Sequence, residues 1–227
     1  MKRAIIIMTK IPLAGTVKTR LQKVLSPDEC AALAAAFLQD AFAKAQTVCG
    51  NTMIAVSPFY ESDKLKNILH AAPLLIEQTG ANLGERMFNA FEFAFEHDSD
   101  AVVMIGTDSP TFPAEYIERA FELLKKTNAV LGETSDGGFY LIGLRRLEKR
   151  IFENVEWSSP QTFAQTKRNF MHLNFDLREI PAWYDVDEPA DLRRLCSEFQ
   201  INESARHIAP QTFRWINRHK IFPKSGE

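Results

Sequence analysis

Short apolar runs alternate with longer segments of helical periodicity along most of this chain, and this alternation limits the possible folds more than any other feature. Six runs, at residues 4–8, 53–56, 74–76, 101–105, 129–131 and 139–142, have the length and composition of strands buried on both faces. Helices are predicted at residues 27–49, 82–97, 113–126 and 188–199. The order predicts an α/β fold with a mostly parallel, doubly wound central sheet and helices on both faces.

Composition limits the size of the domain and the class of partner. With 227 residues, 45% of them hydrophobic, the chain can bury the core of one larger domain. We assign this domain to residues 1–203, and we expect the more basic residues 204–227 to form a C-terminal helical extension and tail, packed on the same domain or trailing it. The formal net charge of -2 gives no overall field that would attract nucleic acid or an anionic membrane.

Cysteine usage and hydropathy indicate a cellular compartment. The three cysteines lie far apart and lack metal-ligand spacing, which is typical of free thiols in a reducing environment. The apolar run at the N-terminus is too short for the core of a signal peptide, and no stretch approaches membrane-spanning length. We therefore expect a cytoplasmic protein without membrane insertion, present as a monomer or homodimer.

A cationic loop directly follows the first predicted strand. Gly15 permits positive φ and close backbone approach to a ligand, and Lys18 and Arg20 can offset the charge of phosphates. The loop lies where ligands bind in such sheets, at the carboxyl end of a strand. It is not a Walker A loop, because only one glycine precedes Lys18-Thr19. A solvated loop whose cations face water explains the same residues about equally well.

Three further segments place polar residues near predicted strand ends. Asp108 follows the strand at residues 101–105 and is suited to hold Mg²⁺ on a nucleotide, although a turn aspartate is an alternative. The Asp136-Gly137-Gly138 segment allows the chain to approach a ligand closely, and a plain tight turn explains it nearly as well. Asp187 precedes the last predicted helix of the domain, where a helix-capping role competes with metal binding.

Together these segments resemble a known family. The matching patterns are Lys10-x-Pro12-x-x-Gly15-x-x-Lys18-Thr19-Arg20-Leu21, Gln78-x-Gly80-x-x-Leu83-Gly84-x-Arg86-Met87, Gly106-Thr107-Asp108-x-Pro110, Leu131-Gly132-x-x-x-Asp136-Gly137-Gly138-Phe139-Tyr140-Leu141-Ile142-Gly143 and Asp185-x-Asp187-x-x-x-Asp191-Leu192. They are similar to the bacterial radical-SAM/selenodomain-associated transferase family (DUF2064-like) and extend over nearly all of residues 2–200. The resemblance implies the nucleotide-diphospho-sugar transferase superfamily and a single-domain, Rossmann-like glycosyltransferase A-type (GT-A) fold.

The resemblance also implies roles for individual residues. Lys18 and Arg20 would be catalytic, stabilising charge on the phosphates, and Asp108 and Asp187 would hold Mg²⁺ or Mn²⁺. Asp185 fits the metal role less well than Asp187. The implied nucleotide-binding residues are Lys10, Pro12, Gly15, Thr16, Lys18, Thr19, Arg20, Gln78, Gly80, Asn82, Leu83, Gly84, Gly106 and Thr107. The implied acceptor-binding residues are Asp136, Gly137, Gly138, Tyr140 and Trp157, the last of which could equally be a core residue.

Three classes of function fit these residues. The many cations around Gly15 favour a nucleotidyltransferase, which joins a nucleoside triphosphate to a phosphorylated or acidic small-molecule acceptor and releases pyrophosphate. A glycosyltransferase with a nucleotide-sugar donor is the alternative, although the mid-chain segment carries a lone Asp108 instead of Asp-x-Asp. A non-catalytic nucleotide-binding protein is the third class. It matches less well, because cations together with two candidate metal ligands suit the requirements of catalysis.

Overall fold

The computed structural model describes residues 1–221, which contain a seven-stranded sheet with helices packed against it. The strands are β1 (Arg3–Lys10), β2 (Thr52–Ser57), β3 (Leu74–Glu77), β4 (Ala101–Ile105), β5 (Ala129–Thr134), β6 (Phe139–Leu144) and β7 (Leu177–Trp183). The helices are α1 (Pro27–Val48), α2 (Lys64–Leu69), α3 (Leu83–Glu96), α4 (Ala114–Leu124), α5 (Thr162–His172), α6 (Pro189–Ile201), α7 (Glu203–Ile208) and α8 (Pro210–Arg218). The predicted α/β fold is confirmed.

The strand order in the sheet is β3-β2-β1-β4-β6-β5-β7. Strand β6 is antiparallel to its neighbours β4 and β5, whereas all other pairs are parallel. Because β6 enters the sheet at the edge where β4 and β5 leave it, the turn between β5 and β6 lies at the same edge as the carboxyl ends of the parallel strands. This shared edge is called the rim below.

Helix α1 begins at a capping box that is readable in the sequence. The Ser26 hydroxyl accepts a hydrogen bond from the Glu29 amide, and the Glu29 carboxylate accepts one from the Ser26 amide. Pro27 occupies the first helical position, where no amide donor is needed. These interactions satisfy orphan amides of the first turn and fix where the helix starts.

Two hydrophobic clusters cover the two faces of the sheet. One face packs against α3 and α5 through residues such as Phe91 and Phe170, and the opposite face packs against α1 and α4 through residues such as Leu38 and Phe121. A third cluster joins α1 to α6 and α8 around Phe37 and Phe199. Apolar burial on both faces explains why the central strands read as continuous apolar runs.

The sequence prediction misses several elements at the margins of the sheet. Strand β7 was not predicted, because it is an edge strand that contains Pro181 and mostly exposed residues instead of an apolar run. Helix α5 is largely polar and short helix α2 has one buried residue, so neither gave a clear signal. The prediction that all six runs are buried on both faces is wrong for edge strand β3, where Leu74 is 49% exposed.

The C-terminal helices pack on the rest of the fold through α1. The Asp40 carboxylate of α1 accepts hydrogen bonds from the amides of Gln211 and Thr212, 2.9 and 2.8 Å away, at the start of α8. Burial raises the pKa of Asp40, and these amide donors act against that rise. Residues 222–227, the end of the predicted tail, lie outside the described residues. Within residues 1–221, no helix is both long and apolar enough to span a membrane.

Candidate functional site

Loops from β1, β4 and β7 meet at the rim. The loop after β7 is tied to the loop after β4 by a hydrogen bond of 2.8 Å from the Val186 amide to the Asp108 carbonyl. The Gly106 amide donates to the Tyr140 carbonyl of β6. Backbone hydrogen bonds therefore set the positions of Asp108 and of the residues beside Val186 independently of any ligand.

The loop after β1 is anchored at its far end by one apolar side chain. Leu21, in a 3₁₀ turn at Thr19–Lys23, is fully buried. Gly15 has φ +80, and no atom lies within 4 Å of the position that a Cβ would occupy there. The glycine is thus needed for its backbone conformation, and the space beside it is open. Lys18 immediately precedes this anchored turn, and its side chain points toward the protein.

The Lys18 ammonium lies between the two predicted metal ligands. Its Nζ is 2.5 Å from Asp108 Oδ1 and 2.8 Å from Asp187 Oδ1, and it donates to the Val186 carbonyl at 2.9 Å. The Lys18 side chain is only 5% exposed. Residues 18, 108 and 187, far apart in the chain, therefore form one charged cluster at the rim.

This cluster fixes the protonation of its members. Burial alone would lower the pKa of Lys18, but the carboxylates of Asp108 and Asp187 outweigh burial and raise it above the ordinary lysine value. Burial would raise the pKa of Asp187, but the Lys18 ammonium reverses this and lowers it. Lys18 is therefore a cation and Asp187 an anion at neutral pH.

A further carboxylate beside the cluster lacks such a partner. The pKa of Asp185 is raised to about 7, first because the side chain is buried and then because the carboxylates of Asp136 and Asp187 are near. Burial and the neighbouring carboxylates therefore disfavour a negative charge on Asp185. An additional cation would lower the electrostatic cost of the arrangement.

Two cavities adjoin at the cluster. The first cavity, of about 350 Å³, is bounded by the loop after β1 and the start of α3. Its lining residues are Met8, Thr9, Lys10, Thr16, Val17, Lys18, Thr19, Arg20, Ala34, Gln78, Leu83, Arg86, Thr107, Asp108 and Asp187. Four of these are cations. The Arg20 side chain is 66% exposed, and its one ion pair among residues 1–221 is a 3.7 Å contact to Glu188. The first cavity is suited to an anionic ligand.

The second cavity, of about 420 Å³, lies on the side of the β5–β6 turn. Methionine and aromatic side chains contribute apolar lining, and aspartate, serine and threonine contribute polar lining. These residues are Met8, Met87, Met104, Phe139, Trp157, Thr134, Asp136, Ser158, Ser159, Thr162 and Asp185, among others. Six residues line both cavities, namely Met8, Arg20, Leu83, Thr107, Asp108 and Asp187. The charged cluster thus lies at the junction of the two cavities.

Most of the predicted nucleotide-binding residues line a cavity, but five do not. The first cavity contains Lys10, Thr16, Lys18, Thr19, Arg20, Gln78, Leu83 and Thr107, and the second contains Gly106. Pro12, Gly15, Gly80, Asn82 and Gly84 line neither cavity. The Gln78 amide group donates to the Thr9 and Ala55 carbonyls, so its nitrogen links strand ends and only its oxygen remains for a ligand.

Three of the predicted nucleotide-binding residues that line neither of these cavities have structural contacts at the start of α3. The Asn82 side chain accepts a hydrogen bond from the Glu85 amide and caps α3. A Cβ at Gly84 would overlap the Trp157 ring, and one at Gly80 would overlap Glu85. These residues position α3 and, through it, Leu83 and the missed Arg86, instead of lining the cavity themselves.

Four of the five predicted acceptor residues line the second cavity. Asp136 accepts hydrogen bonds from the Thr134 hydroxyl at 2.6 Å and the Gly138 amide at 2.9 Å, which shapes the β5–β6 turn. The Tyr140 hydroxyl donates to the Pro181 carbonyl and its ring is buried, so Tyr140 contributes to the core as well as to the wall. Gly137, with φ +87, lies against the Pro160 backbone and does not line the cavity.

Sequence reasoning missed several lining residues. Arg86 lines the first cavity, and its place in the second sequence pattern was the available signal. The second cavity is also lined by Ser158, Ser159 and Thr162, which belong to a segment without a recognisable motif. Asp185, considered as a weaker metal ligand, also lines the second cavity.

The two carboxylates at the junction, Asp108 and Asp187, are candidate ligands for a divalent cation. Asp108 and Asp187 already contact one cationic atom, and hard oxygen ligands are those that Mg²⁺ prefers. In residues 1–221, however, no group of three or more His, Cys, Asp or Glu side chains has the arrangement of a metal site. The junction therefore offers a carboxylate pair, which suits an ion that completes its coordination with phosphate and water.

Solved structures share this fold. A protein from Desulfovibrio desulfuricans G20, provisionally named a nucleotide-diphospho-sugar transferase, is 30% identical, with a TM-score of 0.90 over 97% of this chain and 96% of that one. A CMP:2-keto-3-deoxy-manno-octonic acid synthetase complexed with CTP is 14% identical, with a TM-score of 0.54 over 88% and 99%. Rv0371c of Mycobacterium tuberculosis H37Rv, in complex with manganese, is 14% identical, with a TM-score of 0.51 over 86% and 97%. The last two likenesses show the fold alone.

The sequence of the chain matches a protein family but no curated protein. No curated protein sequence matches it. Residues 38–159, more than half of the chain, match the family DUF2064, described as "Uncharacterized protein conserved in bacteria". Together with the 30% identical relative, this match means that the chain belongs to the DUF2064 family, within the nucleotide-diphospho-sugar transferase superfamily.

Proposed function

We propose that this protein is a metal-assisted nucleotide-binding transferase that acts as a nucleotidyltransferase. The observation that carries the proposal is the junction, where a cationic cavity and a second, partly apolar cavity meet at Arg20, Asp108 and Asp187. A transferase needs two substrate sites that share one reacting centre. The transferase-type fold of the structural relatives supports the same class.

The first cavity is assigned to the nucleotide. Lys10, Arg20 and Arg86 would contact its phosphates, since guanidinium and ammonium groups bind phosphate oxygens with charge-assisted hydrogen bonds. The sequence predicts that Lys18 shares this role, but its three close contacts are made to protein oxygens. Arg20 is therefore the stronger candidate for stabilising charge at the junction.

The second cavity is assigned to the acceptor. An acceptor oxygen would attack the α-phosphorus of the nucleotide, and the new P–O bond forms as the bond to pyrophosphate breaks, with pyrophosphate taking the electron pair. Little covalent help is required, so positioning and charge stabilisation can supply most of the catalysis. Arg20 is the one cation among the described residues that line this cavity, so a phosphorylated or acidic acceptor would depend on it for charge compensation.

A divalent cation fits the junction as a cofactor. Asp108 and Asp187 would hold it, and such an ion would offset the neighbouring negative charge that adds to burial in raising the pKa of Asp185. Bound Mg²⁺ or Mn²⁺ would neutralise charge on the phosphate oxygens. Asp108 and Asp187 thus take the same role in this proposal as they do in the sequence prediction.

Glycosyl transfer from a nucleotide sugar is the second candidate. It is favoured by the provisional name of the 30% identical relative from Desulfovibrio desulfuricans G20. The same two cavities could hold a nucleotide sugar and an acceptor. The two candidates differ in the leaving group, which is pyrophosphate in one and a nucleoside diphosphate in the other.

The test uses the full chain. The four nucleoside triphosphates and a set of nucleotide sugars are each screened with Mg²⁺ or Mn²⁺ by thermal shift, because a ligand that binds only the folded state raises the melting temperature. The bound nucleotide is then incubated with candidate acceptors, and pyrophosphate release is measured. Release supports nucleotidyl transfer, whereas transfer from a nucleotide sugar supports the second candidate. If no nucleotide raises the melting temperature, both candidates are wrong.

A further inference from the structure

The Lys18 ammonium is surrounded by protein oxygens. A lysine ammonium carries three N–H donors. Three protein oxygens, Asp108 Oδ1, Asp187 Oδ1 and the Val186 carbonyl, lie 2.5 to 2.9 Å from Lys18 Nζ. The contacts to Val186 and Asp187 are hydrogen bonds and the contact to Asp108 is an ion pair, so the protein already engages Lys18 Nζ although it lies in the wall of the first cavity.

The Lys18 ammonium occupies a position in which a metal ion could bind. Two carboxylate oxygens and a carbonyl oxygen are a donor set suited to a hard metal ion. The Lys18 side chain is 5% exposed, and the Phe37 ring lies 5.4 Å from Nζ on the protein side. The ammonium is thus buried, whereas the Asp108 and Asp187 side chains are 50% and 38% exposed, so the ammonium compensates the two carboxylates from the protein side while solvent reaches them from the other.

We infer that Lys18 is an internal counter-ion that competes with a divalent metal ion for Asp108 and Asp187 in the nucleotide-free protein. Two cations cannot both lie against the same carboxylate oxygens without repulsion and steric conflict, because the Lys18 ammonium already lies 2.5 Å from Asp108 Oδ1 and 2.8 Å from Asp187 Oδ1. Metal binding therefore requires that the ammonium leave. This inference rests on the proposed function for the metal site, and it concerns the protein before any nucleotide is bound.

The Lys18 ammonium could move from the carboxylates into the first cavity. Lys18 already lines that cavity, which is the one assigned to phosphates. An incoming phosphate would give the displaced ammonium a new anionic partner. The nucleotide and the metal would then bind cooperatively, because each favours the state in which Lys18 has left the carboxylates.

The central experiment measures Mn²⁺ affinity without nucleotide, by electron paramagnetic resonance of free Mn²⁺. Lys18→Met removes the charge and keeps an apolar side chain of similar length. If the wild type holds Lys18 on the carboxylates at least nine-tenths of the time, this variant should bind Mn²⁺ about tenfold more tightly or better. Lys10→Met, a lysine in the wall of the same cavity with no carboxylate partner among the described contacts, is the matched control and should bind like the wild type.

The identity of the metal ligands is tested in the same background. Adding Asp187→Asn to Lys18→Met should abolish the gain in affinity. Equal or weaker Mn²⁺ binding by Lys18→Met overturns the inference, as does the absence of binding by both the wild type and this variant. Failure of every nucleotide to bind would remove the proposed function yet leave these nucleotide-free measurements intact.

A second measurement uses the wild type, in case Lys18→Met does not fold. In protein labelled with ¹⁵N at lysine, the buried and hydrogen-bonded Lys18 Nζ should give a slowly exchanging NMR signal, assigned by its loss in Lys18→Arg. Saturation with Mg²⁺ should shift or remove this signal. A signal that stays unchanged while calorimetry shows the metal to be bound would overturn the inference.

Discussion

Lys18 and Lys44 both carry a buried ammonium group, but their surroundings differ. Lys18 lies between two carboxylates at the rim, which raise its pKa. Lys44, on α1, donates to the Pro110 carbonyl at 2.9 Å and lies 3.7 Å from the centre of the Phe112 ring. Burial lowers the pKa of Lys44 to about 7, and the carboxylates of Asp40 and Glu115 only partly oppose this.

The two lysines thus mark two kinds of region: the rim, where charged groups are paired, and the interior beside α1, where a single ammonium is buried without an ion pair among the described contacts. At the rim, several ionic groups are brought together beside two cavities, which is the usual arrangement of a functional site. In the interior of α1, one lysine is satisfied by a carbonyl and a ring with no direct ion pair among the described contacts. Substitutions at the rim should therefore change binding and transfer, whereas those at Lys44 should change stability and its pH dependence.

The largest effect is expected from Asp187→Asn. Loss of this carboxylate removes one of the two proposed metal ligands, so transfer should fall by about a hundredfold or more. The rate of pyrophosphate release at saturating nucleotide and metal is the measurement, and circular dichroism is the control for folding. Lys44→Met, which alters no residue at the junction, should keep a rate within a few fold of the wild type. Equal rates for Asp187→Asn and the wild type would contradict the metal assignment.

Arg20→Ala should weaken nucleotide binding about tenfold or more, since a charge-assisted hydrogen bond contributes about 1.5 to 3 kcal/mol. The exposed guanidinium makes only a long contact to Glu188, so its removal should leave stability nearly unchanged. Calorimetric titration with the nucleotide found in the screen gives the affinity. Wild-type affinity in Arg20→Ala would mean that the loop cations only face solvent.

The third prediction concerns stability and pH at Lys44. Its folded pKa of about 7 lies below the unfolded value of about 10.4, so between these values the unfolded chain binds the extra proton. Stability should therefore rise as pH increases from about 7 to 10, with a slope of at most about 1.4 kcal/mol per pH unit from this group. Urea denaturation at several pH values measures it.

The control for this slope is Lys44→Met. The variant should lose the part of the rise that comes from Lys44, while groups elsewhere contribute equally to both proteins. Below about pH 7, Lys44 is protonated in both the folded and unfolded states, so its contribution to the slope should vanish there. Identical pH profiles for the variant and the wild type would show that the Lys44 pKa is not lowered.

The smallest effect is expected from Asp136→Asn. An asparagine oxygen can still accept from Thr134 and Gly138, so the turn should persist while the negative charge on the acceptor side is lost. Nucleotide affinity should stay unchanged, and transfer should fall by several fold, on the order of 1 kcal/mol. Measuring kcat/KM for the acceptor and Kd for the nucleotide separates the effect on transfer from the effect on nucleotide binding. A weaker nucleotide Kd would contradict the assignment of Asp136 to the acceptor side.

Much of the fold was readable because local patterns and burial agree in the sheet centre. The apolar runs of β1, β2 and β4 and the capping box of α1 report directly on the structure. Strand β7 and helix α5 were not readable, because an exposed edge strand and a polar surface helix leave weak periodic signals. Their existence depends on pairing and packing with distant residues.

The sequence predicts which residues belong to the site but not how their side chains contact one another. The sequence marks Lys18, Asp108 and Asp187 for one site. It does not show that Lys18 bonds to the carboxylates, because its partner Asp187 is 169 positions away and the contact is set by the tertiary fold. Side-chain direction at a rim depends on which loops meet there, and no local spacing encodes that.

The bond between Asp40 and the start of α8 has a consequence for how the chain folds. The two amides that satisfy this buried carboxylate lie 171 and 172 positions later in the sequence. During synthesis, α1 emerges before α8, so the Asp40 carboxylate cannot form these two hydrogen bonds until residues 211 and 212 are present. Contacts of such long range slow folding, since loop-closure entropy is lost before they form. Burial of the Asp40 carboxylate therefore depends on residues 211 and 212 having been synthesised and docked.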